Sequence, residues 1–71
     1  MKPSLGRIVL YRGMQSNGSN EHPALVTRVW SDTCVNLTVF PDSNSIATMT
    51  SVNQDEEMIR EIGWRWPPRV E

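Results

Sequence analysis

The chain has 71 residues, a net charge of −1, one cysteine and one histidine. Residues 1–71 are enough for a single domain, and one of this size buries only about 60% of the surface its unfolded chain exposes, so the core is thin. Cys34 alone excludes an intrachain disulfide, and a lone His22 beside Pro23 disfavours a Cys/His metal site, which leaves oligomerisation as the remedy for a thin core.

In chain order, 7–12, "RIVLYR", is β-branched and aromatic and reads as a first strand. The Gly-, Ser- and Asn-rich segment 13–23 has no periodicity and reads as a mobile, exposed loop. A second strand is expected over 24–30, "ALVTRVW". A third covers 34–40, where Val35, Leu37 and Val39 alternate with Asn36 and Thr38 in the period of a half-buried strand. "PDSNS", 41–45, is a turn, with proline presetting φ and Asp, Ser and Asn competing for backbone hydrogen bonds. "IATMTSV", 46–52, gives a fourth strand.

Residues 53–63 read two ways. Asp55 can cap one or two helical turns over 55–61 with Gly63 as the stop, or the segment is a loop. "WRW", 64–66, is a short last strand ended by Pro67-Pro68. Four to five short strands predict a mainly all-β fold, either a small SH3-like barrel or a twisted antiparallel sheet that completes its core by oligomerising.

Charge and motif content narrow the function. Seven cations against eight acids disfavour long nucleic acid, which is held by a field of Lys and Arg. There is no apolar run long enough to cross a bilayer and no signal-peptide h-region, and a lone reduced cysteine fits a cytosolic compartment. No glycine-rich phosphate loop is present. Cys34 and His22 fall where nothing enforces a nucleophile–base geometry, so Cys34 reads as a structural thiol. "DEEMIRE", 55–61, reads as a solvated acidic face. Neither a catalytic set nor a cofactor is expected.

What rises above background is arginine beside aromatics: Arg12 after Tyr11, Arg28 two before Trp30, and Arg65 between Trp64 and Trp66. In a strand, Arg28 and Trp30 share one face with Thr27 on the other, while Trp64 and Trp66 share a face opposite Arg65. Turned inward, the two C-terminal indoles plug a barrel end, each ring burying on the order of 200 Å². Turned outward, an Arg–Trp pair stacks on a nucleobase and clamps a phosphate.

The ordered set "GRIVLY", "PALVTRVW", "VNLTVFPD", "TSV" and "WRWPPRV" resembles a family of short phage and prophage proteins. The resemblance covers most of the chain, leaving 13–22 and 53–62 outside. It implies a small β-rich viral protein acting in the cytoplasm of an infected bacterium. The chain is also similar in size and character to phage sponges, oligomers that sequester cyclic nucleotide signals of host defence such as CBASS. By that analogy the ligand-binding positions are Tyr11, Thr27, Arg28, Trp30, Trp64, Arg65, Trp66 and Arg69. The alternatives are a virion or assembly protein with an SH3-like fold, which would use the same tryptophans as interface anchors, and a binder of a host protein.

Overall fold

The computed structural model describes residues 2–42 and 45–68. Five strands, β1 (Ile8–Ser16), β2 (Ser19–Val29), β3 (Cys34–Val39), β4 (Ala47–Asn53) and β5 (Gly63–Arg65), form one antiparallel sheet in the order β4-β3-β2-β1-β5. Among the described residues there is no helix, so 55–61 is a loop.

Period-two patterning sets the inner face. Val9 and Tyr11 of β1, Ala24 and Val26 of β2, Val35, Leu37 and Val39 of β3, Val52 of β4 and Trp64 of β5 are all buried in one cluster. The sheet curls around them because each of its three long pairings carries an irregularity. Arg12 pairs with Glu21 but Ser16 with Ser19, so β1 has extra residues there. Thr27 is extra between the pairs Val26–Leu37 and Arg28–Asn36, and β4 gains a residue between the partners of Leu37 and Val35. Bulges of this kind bend a strand and raise its twist. The curl brings the two edges together: Gln54, just past β4, forms a parallel bridge with Trp64 of β5.

The segment expected to be a mobile loop, 13–23, is instead a hairpin. Asn17 and Gly18 both take positive φ, 50° and 82°, as a two-residue turn matched to strand twist requires. Their polarity reflects an exposed tip, and the strands continue on both sides of it. His22 is accordingly not in a loop. It is 2% exposed, and its Nε2–H donates to the Met14 carbonyl oxygen at 2.6 Å.

The acidic run is also not simply a solvated face. Asp55 is buried, and its carboxylate accepts from Arg12 Nη2 at 2.5 Å, from Arg60 N at 2.7 Å and from Ile59 N at 3.1 Å. Its own N–H donates to the Trp64 carbonyl at 2.8 Å, which fixes the bridge between the edges. Arg12 donates as well to the Arg60 carbonyl. Gly63 is required beside it, since a Cβ there would stand 2.7 Å from Asp55 Cβ. Burial raises the Asp55 pKa, but the two backbone N–H groups and the Arg12 guanidinium outweigh it and hold the carboxyl below its ordinary value.

Glu21 is lowered as well, chiefly by its hydrogen bonds from Arg65. A depressed folded-state value means the stabilisation is complete above the ordinary values, 3.8 for Asp and 4.5 for Glu, and is lost as pH falls through the depressed ones. The contribution of these two carboxylates to the urea midpoint should therefore be constant above the ordinary carboxylate range and fall away below it. Asp55→Asn should be less stable at neutral pH and show a shallower acid drop. An equally steep drop in that variant would remove Asp55 as its source.

Trp64 is 1% exposed and its Nε1–H donates to the Thr33 carbonyl at 3.0 Å. Trp64→Ala should cost about 3–5 kcal/mol in denaturant unfolding, the range for emptying a buried aromatic site.

Candidate ligand-binding face

The outward surface of the sheet around Asn36 carries an exposed aromatic–cation pair. Arg28, directly after the Thr27 bulge, sits across from Asn36, and its guanidinium carbon lies 4.1 Å from the centroid of the Trp30 ring. Trp30 is 53% exposed. A stack of this kind is worth about 0.5–1 kcal/mol at an exposed site, enough to bias the side chains without locking them.

Asn36 orients the platform. Its Oδ1 accepts from Trp30 Nε1 at 2.8 Å and from the Ser51 backbone N–H at 2.8 Å. Ser51, at φ 53°, lies where β4 bulges, so Asn36 stands between two irregularities, Thr27 on one neighbour and Ser51 on the other. One side-chain oxygen thus ties the indole edge to a strained turn of β4.

The positions grouped in sequence divide among different places. Thr27, Arg28 and Trp30 are exposed together on β2 and its exit. Tyr11 and Trp64, grouped with these positions by the resemblance, are instead placed in the core, at 3% and 1% exposure. Burial pushes the Tyr11 hydroxyl pKa up. Arg65 is also committed elsewhere. Its Nε and Nη2 donate to the two carboxylate oxygens of Glu21 at 2.6 and 2.8 Å, bridging β5 to β2 across β1. Trp66 is half-buried and meets Trp64 edge-on, with ring centroids 5.5 Å apart and planes at 85°. Arg69 lies outside the described residues.

Trp66 also borders a groove of about 440 Å³ with Gly6, Arg7, Ile8 and Pro67, and the Arg7 guanidinium carbon is 5.8 Å from the Trp66 ring centroid. Sequence reasoning passed over Arg7 because no local pattern links positions 7 and 66. A second, more polar groove of about 580 Å³ lies between Thr33, Asn53, Gln54, Asp55, Ile59 and Arg60. Cys34 is half-buried at the start of β3, where its backbone faces Asn53.

Asn36→Ala should leave the core packing intact yet release the indole. In a Trp66→Phe background, where the 1%-exposed Trp64 is the other emitter and is shielded from solvent, the quenchable fluorescence belongs to Trp30 and should become more accessible to a neutral quencher such as acrylamide. Unchanged quenching would remove Asn36 as the orienting group.

No protein-family model, no curated protein and no solved structure matches the chain.

Proposed function

We propose that this is a phage-encoded counter-defence protein that captures a small cyclic nucleotide signal without cleaving it. The observation that carries the reading is the Arg28 guanidinium held 4.1 Å from the centroid of the exposed Trp30 ring. An indole face offers base stacking worth about 1–3 kcal/mol, and a stacked guanidinium still directs its planar N–H groups at phosphate oxygens. Flat base and anionic phosphate are the two features every cyclic nucleotide presents. Net charge supports a small ligand over a polymer, since the seven cations are offset by eight acids. Two of the arginines, Arg12 and Arg65, are already paired with carboxylates.

Capture without turnover is part of the same reading. His22 is buried against a backbone carbonyl, and the Asp55 carboxylate is engaged by three N–H donors, so neither is poised as a base toward the Arg28–Trp30 face.

A second reading, a binder of another protein within a virion or host, is favoured by the loop after β4, where Met58, Ile59 and Ile62 are 49%, 78% and 57% exposed. One experiment separates the two. The purified protein is mixed with a panel of cyclic di- and trinucleotides, and the free pool is measured before and after heat denaturation. Depletion followed by return of intact nucleotide supports capture. Chemical conversion would mean an enzyme, and no depletion would favour the protein-binding reading.

Arg28→Ala should weaken capture by about 1.5–3 kcal/mol, the range for hydrogen bonds to a charged group, with little change in melting temperature. Arg65→Ala should do the reverse, lowering the melting temperature through loss of the Glu21 bridge while retaining capture. Equal binding by Arg28→Ala and the parent would overturn the site.

A further inference from the structure

The two edges of the sheet are guarded unequally. β5 is three residues long, carries Arg65 and is followed, after Trp66, by Pro67-Pro68, and a short strand, a charge and proline all blunt an edge. β4 has none of these over most of its length. It is "ATMTSVN", without a charged residue or proline. Among the described residues its strand partner is β3 on one side, and the other side is met by β5 only around its C-terminal end, at Asn53 and Gln54. The bulge at Ser51 interrupts its C-terminal part, which leaves 47–50 as a regular edge. Thr48 and Thr50 are exposed along it, and Ile46, 64% exposed, precedes it.

A row of backbone N–H and C=O groups on such an edge is matched by water or by another strand about 4.8 Å away. Which strand it accepts follows from its composition. Antiparallel pairing of β4 with itself is a two-fold, self-complementary contact, in which residue i of one copy meets residue j of the other and j meets i. With no charge in β4, this brings no like charges together. A charged β4 would have opposed it. Phe40, 39% exposed, directly follows β3, and extending the Val39–Ala47 register by one residue puts it opposite Ile46. An apolar pair therefore flanks the edge and loses water when a second copy arrives.

We propose that β4 is a self-association edge, pairing antiparallel with β4 of a second copy to extend the two sheets into one. The pairing leaves the inner clusters untouched and adds backbone hydrogen bonds plus the Ile46 and Phe40 contacts. The contact is small beside the roughly 800 Å² per partner of a standard interface, so the dimer is concentration-dependent. It does not depend on the nucleotide reading: it arises from the edge and not from the Arg28–Trp30 face, and either can fail alone.

Light scattering coupled to gel filtration over a dilution series tests it, without nucleotide present. The mass of the parent protein should rise with concentration toward twice the 8.1 kDa of one chain. Thr48→Lys and Ile46→Lys, both at exposed positions, should remain at one chain mass throughout while keeping the parental circular dichroism spectrum. Amide hydrogen exchange gives an independent readout in the unmodified protein, with protection within 47–50 increasing with concentration. A parent that stays at one chain mass, a folded lysine variant that keeps the doubled mass, or concentration-independent protection in 47–50 would each overturn the proposal.

Discussion

Asp55 ties the two edges of the sheet together, and most of the fold's closure depends on it. Its carboxylate collects a guanidinium from β1 and two backbone N–H groups from its own loop, while its N–H holds the β5 carbonyl of Trp64. Burying a carboxylate in isolation would be costly. Here several donors compensate the charge, and removal of any one leaves the others around a less satisfied group. Because β5 is only three residues long, it could not hold its place by ladder hydrogen bonds alone. The loop gathered on Asp55, the Arg65–Glu21 fork and the indole of Trp64 act together to keep it there.

The same economy explains how a thin core leaves a surface for function. All the long inward rows, from Val9 to Val52, are consumed by packing, and Trp64 fills the end where the edges converge. What remains for recognition must come from the outward rows and from bulges. The Thr27 bulge places Arg28 across from Asn36, and the Ser51 bulge turns a backbone N–H onto the same Asn36 oxygen that holds Trp30. Curvature and platform therefore share their causes. The irregularities that bend the sheet around its interior also shape the exposed pair on its exterior.

Legibility in the sequence followed the range of each interaction. The alternation of Val35, Leu37 and Val39, and the shared face of Arg28 and Trp30, are local and were readable from spacing. The plug reading of "WRW" also describes Trp64. The Asn17-Gly18 turn carried a usable signal, but the surrounding serines and asparagines read more strongly as loop than the pair did as hairpin. His22 could not be placed, because its partner is the Met14 carbonyl on the neighbouring strand, and polar composition gives no hint of an inward turn. Nor could the acidic run reveal that Asp55 meets Arg12, or Arg65 that it meets Glu21. Those pairs are 43 and 44 positions apart in the chain and exist only once register is set. The Trp66–Arg7 neighbourhood is hidden for the same reason.

The placement of β5 has a consequence for how the chain reaches its structure. Strands β1 to β4 form a meander in which every neighbour in space is a neighbour in sequence. Each of those hairpins closes a short loop, and such steps are fast. β5 alone pairs with a distant strand, β1, so its docking must wait for the long closure that contact-order arguments make slow. Since Trp64 completes the interior, the four-strand meander has an open end until that moment, with the apolar lining of β1 and β4 facing water. During synthesis this vulnerable interval extends until β5 has emerged, and a chain interrupted before Gly63 would carry a hydrophobic mouth with nothing to seal it.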